Sequence, residues 1–353
     1  MIRRKAGPFI KGSGGGATKP KVYVTRPIFP HAIELLAQFC EVVVSEAEDP
    51  PPREELLRQM RDKDGILCLP ETRIDQRLLD AAPRLKAIST MTVGYDHIDV
   101  PECTKRGIYV GFTPDVLTDA TADLAFALLL CAARRLAEAD RFVRAGMWKK
   151  PLPVQGFLGT STSGKTLGII GFGRIGRAVG IRAKGFQMHV VYYDKERLRR
   201  EDEETTGAAY RPLEDLLRES DFVSLHVPLS DSTRSLIDEA RLRLMKPGAI
   251  LINTSRGQTV DEGALSRALK ESRILAAGLD VYEKEPLDPA SPLLALDNVV
   301  LLPHLGSAAK ETREKMAEMA VRNLLAVFMG EKPPGLVNHE VESVRPLDLV
   351  KMI

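Results

Sequence analysis

From Lys21 onward, short apolar and β-branched runs alternate with stretches whose apolar positions recur every three or four residues. KVYVT, EVVV, GILCL, LKAIST and IYVGF read as strands, because a brief continuous apolar run bounded by polar or turn residues is what a sheet covered on both faces requires. HAIELLAQF, PREELLRQMRD, DQRLLDAA and the segment around DHIDVPECTKRG fall between them and read as helices. Pro51 and Pro52 suit the start of the second helix, where a missing N–H costs nothing. Alternating strands and helices imply parallel βαβ units, so residues 21 to about 113 form one small doubly wound domain.

Between Asp115 and Gly146, apolar residues at Leu117, Leu124, Phe126, Leu128, Leu129 and Leu136 predict one long, largely buried connecting helix. Residues 147–164 are an irregular Pro/Gly-rich excursion. The alternation then resumes: PLEDLLRES, ARLRLM and GALSRALKES read as helices, and DFVSLHVP, AILINTS, ILAAGLDVY and NVVLLPH as strands, making a second doubly wound domain up to about Leu305. A last helix, SAAKETREKMAEMAVRNLLAVFMG, is expected to return to the first domain. Beyond Glu331 only the Pro333-Pro334 break stands out.

The most informative stretch runs from Gly164 to Asp194. A buried strand, Thr166 to Ile170, ends in Gly171-Phe172-Gly173-Arg174-Ile175-Gly176, a helical segment follows, and a second strand, Met188 to Tyr193, closes on Asp194. This is the order of a dinucleotide-binding unit: one glycine for the tight turn, one for close approach of backbone to a pyrophosphate, one for helix-on-strand packing, and a helix N-terminus offering N–H groups to phosphates. A lone glycine fingerprint is weak; here the flanking strand and helix and an acid eighteen residues past Gly176 agree with it. The competing explanation is a tight βα turn that binds nothing.

Composition narrows the partners. At 353 residues the chain exceeds one ordinary core, which fits two domains. A net charge of +2 calls for neither nucleic acid nor an anionic membrane. The longest apolar run, around Ala125 to Ala133, is far short of the roughly 20 residues that span a bilayer. Cys40, Cys68, Cys103 and Cys131 are scattered without paired spacing and read as reduced thiols of a cytoplasmic protein, with no metal site. Residues 1–20 are basic, acid-free and Gly/Ser-rich, so a disordered tail is expected; mitochondrial targeting is the lesser reading, since Gly12 to Gly16 would break an amphipathic helix.

In open parallel sheets ligands lie outside the carboxyl ends of the strands, which turns the strands into a list of site positions. DFVSLHVP delivers His226 and Pro228. AILINTS delivers Thr254, Ser255 and Arg256, ILAAGLD delivers Asp280 with Glu283 and Glu285 behind it, and NVVLLP delivers His304. In the first domain LKAIST leads into Met91 to Gly94. Hydride exchange at a carbonyl needs a proton donor near neutral pH, a cation for the carboxylate and carbonyl, and an acid to orient the donor. His304, Arg256 and Glu285 supply these types from adjacent strand ends. Singly, each has an ordinary explanation as a surface arginine, a solvated loop acid or a loop histidine; it is their shared position beside the glycine turn that joins them.

With these residues in view, the chain resembles the D-isomer-specific 2-hydroxyacid dehydrogenases over about Lys21 to Val341. The resemblance is carried by VGYDHID, the glycine stretch, SDFVSLHVPL, LMKPGAILINTSRG, AAGLDVYEKEP and LLPHLGSA. Within the family it is most similar to glyoxylate/hydroxypyruvate reductases, through TPDVLTDATADLAFALLL and STMTVGYDHID. The resemblance implies a flavodoxin-like substrate domain (21–114 and 306–342), a Rossmann nucleotide-binding domain (115–305) and a C-terminal tail (343–353). It implies that Arg256 binds the 2-oxo acid's carboxylate and carbonyl and that His304 protonates the carbonyl oxygen with Glu285 as partner. Backbone N–H groups of Val93 and Gly94 would hold the other side of the carboxylate. Gly171, Gly173, Arg174, Ile175 and Gly176 would hold the pyrophosphate, Asp280 the nicotinamide amide, and Thr254 and Gly306 the nicotinamide end. A homodimer built through the nucleotide domain, with substrate in an interdomain cleft, is implied as well.

Two departures bear on specificity. Many glyoxylate reductases of this type prefer NADPH and lack an acid at the end of the second strand; Asp194 should instead bond the adenosine ribose and repel a 2′-phosphate, with Lys195 and Arg197 as nearby cations that soften the repulsion, so NADH is expected ahead of NADPH. The only tryptophan, Trp148, does not match the one that related hydroxypyruvate reductases carry, and Leu69-Pro70-Glu71 also differs from the usual loop. Glyoxylate and hydroxypyruvate therefore lead a wider set of small 2-oxo acids. The alternative class is a nucleotide-sensing, corepressor-like protein of the same fold; the short tails and the lack of an extended low-complexity arm stand against it.

Overall fold

The computed structural model describes residues 19–353. The stretch expected to be a disordered tail or targeting segment therefore lies outside the described residues apart from Lys19 and Pro20. The chain divides into two compact units: the described residues up to Thr113 together with Ala317–Ile353, and Pro114–Met316.

The first unit holds β1 (Lys21–Val24), α1 (Pro30–Phe39), β2 (Glu41–Val44), α2 (Arg53–Gln59), β3 (Gly65–Cys68), α3 (Gln76–Ala81), β4 (Ala87–Thr90), α4 (Val100–Lys105) and β5 (Tyr109–Gly111). Its sheet is parallel throughout, in the flavodoxin-like order β2-β1-β3-β4-β5. The inner strands β3 and β4 are wholly buried, the hydroxyl residues Ser89 and Thr90 of β4 included, whereas edge strand β2 is not. The helices start where their sequences direct: Asp75 accepts from Leu78 N–H at 3.1 Å, and Asp99 accepts from Glu102 N–H at 3.0 Å.

The second unit holds α5 (Thr118–Ala133), α6 (Leu136–Arg144), β6 (Thr166–Ile170), α7 (Arg174–Gly185), β7 (His189–Tyr193), α8 (Arg200–Thr206), β8 (Ala209–Tyr210), α9 (Leu213–Glu219), β9 (Phe222–Leu225), α10 (Glu239–Leu242), β10 (Ile250–Asn253), α11 (Glu262–Lys270), β11 (Ala276–Leu279) and β12 (Val299–Leu301). Its seven parallel strands lie in the order β12-β11-β10-β9-β6-β7-β8, so the chain reverses direction across the sheet between β6 and β9. That is the Rossmann arrangement and its switch point. One core lies on each face. Leu251, Val223 and Leu225 join Leu265 and Leu269 of α11 on one side; Ile250, Ile252 and Phe222 join Phe126 and Leu129 of α5 and Val179 of α7 on the other.

The structure departs from expectation in three places. The long connecting helix is two helices: Arg135 adopts φ 53°, a left-handed conformation that ends α5 and begins α6. Strand β8 is only two residues long and has no apolar run to announce it. The closing residues, expected to be a tail, pack onto the first unit. There, α12 (Lys310–Phe328) is followed by a short helix, α13 (Val341–Val344), Val350 is fully buried, and Met352 N–H donates to the Phe328 carbonyl at 2.7 Å. Asn338 ties this end in, accepting from Val110 N–H and donating to the Ile108 carbonyl, both at 2.9 Å. The boundary between the units falls within α12. No helix among the described residues is long and apolar enough to cross a membrane.

Candidate active site

The three fingerprint glycines have different surroundings. Gly171 turns the chain out of β6 at φ 89°, and a Cβ there would lie 2.7 Å from the carbonyl carbon and oxygen of His226. A Cβ on Gly176 would lie 2.1 Å from the Gly171 oxygen, so only glycine lets α7 pack this close to the turn. Around Gly173, just before α7, nothing lies within 4 Å of a built Cβ. One glycine permits the turn, one the close helix, and the one between them leaves room for a phosphate at the helix N-terminus. Ile175 is half-buried behind them, and Arg174 reaches out to Asp115, Nε to Oδ1 at 2.5 Å.

Asp194, at the end of β7, folds back onto this turn: its Oδ2 accepts the Phe172 N–H at 2.7 Å. The carboxylate is thereby placed beside the glycine stretch. Of the two cations expected to offset its charge, Arg197 is already engaged, with Nε and Nη2 on Glu203 at 2.8 and 2.9 Å and its guanidinium over the Tyr210 ring. Lys195 is exposed.

At the far strand ends a second constellation forms around Asp280, which is completely buried. Its Oδ1 accepts the Leu305 N–H at 2.6 Å and its Oδ2 the Gly306 N–H at 2.8 Å, while its own carbonyl accepts the His304 N–H at 2.9 Å. Burial pushes the Asp280 carboxyl upward, an effect partly offset by the N–H donors of Leu305 and Gly306. Three bonds thus clamp the loop carrying His304, which itself sits at φ 55°, a left-handed conformation costly for a residue with a Cβ. Gly306 is buried, and its carbonyl accepts from Thr121 of α5 at 3.0 Å.

His304 Nδ1 lies 2.6 Å from Glu285 Oε2, and Glu285 Oε1 accepts the Tyr282 N–H at 3.1 Å. The hydrogen bond to Glu285 raises the imidazole above its ordinary pKa, against burial and the positive charge of Arg256. For Glu285, burial pushes upward, but the bond to His304 and the charges of His304 and Arg256 outweigh it and hold the carboxyl below its usual range. With Nδ1 committed to the carboxylate, Nε2 is the nitrogen left to exchange a proton with a substrate.

Arg256 follows β10 in an extended conformation. Its carbonyl accepts from Asn253 Nδ2 at 3.0 Å and Thr259 Oγ1 at 2.6 Å, and its Nη1 donates to the Ser255 carbonyl at 2.8 Å. A Cβ on the next residue, Gly257, would lie 1.8 Å from the Tyr282 carbonyl carbon, so the Arg256 and Glu285 segments pass in backbone contact. Arg256, Glu285 and His304 therefore meet in one unit, as their strand positions predicted. The same carboxyl edge carries buried polar atoms without a hydrogen-bond partner among the described residues, Thr254 Oγ1 and His226 Nδ1. Of these, His226 is expected from sequence at a strand end, with no role assigned to it there. Among the described residues no group of three or more His, Cys, Asp or Glu could hold a metal ion.

Val93 and Gly94 belong to the other unit, in the turn after β4. That turn is braced from within: Thr92 Oγ1 donates to the Gly94 carbonyl, the Thr92 carbonyl accepts from Thr113 N–H and Oγ1 at 2.8 and 2.9 Å, and Thr90 Oγ1 lies 3.1 Å from His97 Nε2.

A turn shaped for a dinucleotide and a paired acid and base at the carboxyl edge of one sheet match what the chain is similar to. The family model for the D-isomer specific 2-hydroxyacid dehydrogenase, NAD binding domain, matches residues 126–306. A glyoxylate reductase of Thermofilum pendens is 54% identical over 338 residues, covering 95% of this chain and 99% of that protein. A crystal structure of a Thermus thermophilus protein superposes with a TM-score of 0.85 at 45% identity, covering 90% of this chain and 99% of that one. The NADPH-dependent glyoxylate/hydroxypyruvate reductase of Sinorhizobium meliloti, solved with NADP and malonate, does so at 0.80 and 36% identity, covering 92% and 98%. On fold, glycine turn and relatives together, the chain belongs to the D-isomer specific 2-hydroxyacid dehydrogenases.

Proposed function

We propose that the protein reduces a small 2-oxo acid, glyoxylate or hydroxypyruvate before others, to the 2-hydroxy acid, of D configuration where C2 is a stereocentre. The observation that carries this reading is the 2.6 Å contact between His304 and Glu285 on a loop clamped by Asp280, with the charge of Arg256 acting on both. The bound dinucleotide supplies a hydride to the carbonyl carbon. His304 Nε2 gives the carbonyl oxygen its proton, and Glu285 stabilises the imidazolium beforehand and takes no proton itself. Arg256 holds the carboxylate and polarises the carbonyl, for which a planar guanidinium is suited. Backbone N–H groups of Val93 and Gly94 are assigned to the same carboxylate.

For the dinucleotide, Gly171, Gly173, Arg174, Ile175 and Gly176 hold the pyrophosphate, Asp194 the adenosine ribose, Asp280 the nicotinamide amide, and Thr254 and Gly306 the nicotinamide end. NADH is favoured over NADPH because Asp194 is fixed beside the glycine turn and Arg197, paired with Glu203, is not free to accept a 2′-phosphate. A homodimer through this unit is supported by a run of exposed apolar side chains, Leu136, Val143, Met147, Trp148, Leu152 and Val154, the last 96% exposed. Following oxidation of NADH and NADPH against a panel of small 2-oxo acids tests the proposal. Turnover led by glyoxylate or hydroxypyruvate is expected, and dinucleotide binding with no turnover of any 2-oxo acid would replace catalysis by sensing.

A further inference from the structure

His226 stands one position beyond β9, and the chemistry above leaves it without a task. Its place is set by the sheet. β9 pairs with β6 in the register Ile170↔Leu225, and the His226 N–H donates to the Ile170 carbonyl at 2.7 Å. A Cβ on Gly171 would press on the His226 carbonyl, so His226 is the backbone neighbour of the glycine that opens the turn. Side-chain alternation puts His226 on the face of Ser224 and Phe222. Phe222 belongs to the core shared with α5 and α7, so the imidazole lies on the side of the sheet where α7 begins.

The ring is held at one nitrogen and open at the other. Nε2 lies 2.8 Å from Ser224 Oγ, while Nδ1 is buried with no hydrogen-bond partner among the described residues. One strand over, where β10 pairs with β9 in the register Asn253↔Leu225, the equivalent position is Thr254, whose buried Oγ1 is in the same condition. A buried polar atom left unmet is costly. Two of them at neighbouring strand ends, on the carboxyl edge where doubly wound sheets receive ligands, mark atoms that a ligand satisfies.

We propose that His226 is a cofactor-binding residue: Ser224 fixes the ring through Nε2, and Nδ1 hydrogen-bonds a polar group of the bound dinucleotide beside the glycine turn. The inference rests on dinucleotide binding by this unit and holds for any oxo acid substrate. Burial holds the imidazole down to about 3, so the ring contributes a neutral hydrogen bond and not a charge.

Asn places an amide atom near the position of Nδ1, whereas Gln reaches the position of Nε2. His226→Asn therefore keeps the dinucleotide contact and loses Ser224, His226→Gln does the reverse, and His226→Phe loses both. The dissociation constant of NADH, with NADPH in parallel, is measured by fluorescence titration, together with KM for NADH and for the oxo acid. The Gln and Phe variants are expected to raise Kd and KM for NADH by roughly 2- to 12-fold, the range one net hydrogen bond is worth, with KM for the oxo acid little changed. The Asn variant should stay within about 1.5-fold of the wild type, below even the weakest net hydrogen bond's worth. Wild-type affinity in Gln with Asn as weak as Phe would overturn the proposal, since His226 would then act only through Ser224; so would equal affinity in all variants. Should the Phe variant not fold, the Asn–Gln comparison decides alone. A wild type that binds neither NADH nor NADPH would sink the dinucleotide site itself, a different and recognisable failure.

Discussion

Replacing Glu285 with Gln keeps the side chain's size and removes the charge that His304 answers to. In the wild type, Glu285 Oε2 lies 2.6 Å from His304 Nδ1 and the imidazole's pKa is raised, chiefly by that hydrogen bond. A charge-assisted bond is about twice as strong as a neutral one, which alone would put the loss at about 1–1.5 kcal/mol. The two side chains are 44% and 35% exposed, so water screens part of this, and about 1 kcal/mol is the better figure. That is roughly a fivefold change in the ratio of imidazolium to imidazole. The sign follows from the direction of the reaction. Reduction consumes the imidazolium proton, so kcat/KM for the oxo acid falls as pH rises through the raised pKa of His304. In Glu285→Gln the pKa moves back toward the ordinary value, the alkaline fall begins at lower pH, and at a fixed pH on that limb kcat/KM is about fivefold lower. On the acid side the difference shrinks. Oxidation of the hydroxy acid, which needs the neutral ring, should be helped by the same shift on its own acid limb. Superimposable pH profiles for wild type and variant would refute the assignment of Glu285 as the group that sets the proton donor.

His304→Ala should lower kcat by roughly 10²–10⁴-fold, the usual contribution of a general acid, and an ordinary kcat would remove His304 from the chemistry. Arg256→Ala should raise KM for the oxo acid by about 10- to 100-fold, the worth of a charge-assisted hydrogen bond, while the Kd of NADH stays near wild type; an unchanged KM argues against carboxylate binding. Asp194→Ser should shift the ratio of kcat/KM values toward NADPH and weaken NADH, because the bond to Phe172 N–H goes with the charge; an unaltered ratio would place cofactor choice elsewhere. Gly257→Ala would set a Cβ 1.8 Å from the Tyr282 carbonyl carbon, and the backbone shift should cost about 1–3 kcal/mol, read as a lowered Tm; a wild-type Tm would show that the segments are not held in contact.

Much of this was legible in the sequence because periodicity and strand order are local signals. The runs ending at Ile170, Asn253, Leu279 and Leu301 announce their strands, and the rule that ligands sit at carboxyl ends is enough to bring Arg256, Glu285 and His304 into one place. What escaped depended on contacts between distant residues. Strand β8 exists because Val191 and Tyr192 offer an edge to pair with, not because Ala209 and Tyr210 form an apolar run. The end of the chain packs through Asn338, whose bonds reach back to Thr104, Ile108 and Val110 and leave no local pattern. The break at Arg135 interrupts a helical pattern that never lapses in sequence, because the conformational change sits in one residue's φ. Asp280 reads in sequence as a cofactor group, and its bonds to Leu305 and Gly306 show that it also builds the loop beneath His304.

Hydride transfer to a 2-oxo acid is tested most directly by reducing hydroxypyruvate with NADH deuterated at the transferred position and examining the product. The predicted result is D-glycerate carrying deuterium at C2, one atom for each NADH oxidised. Unchanged NADH, the L product, or deuterium released to water would contradict the account.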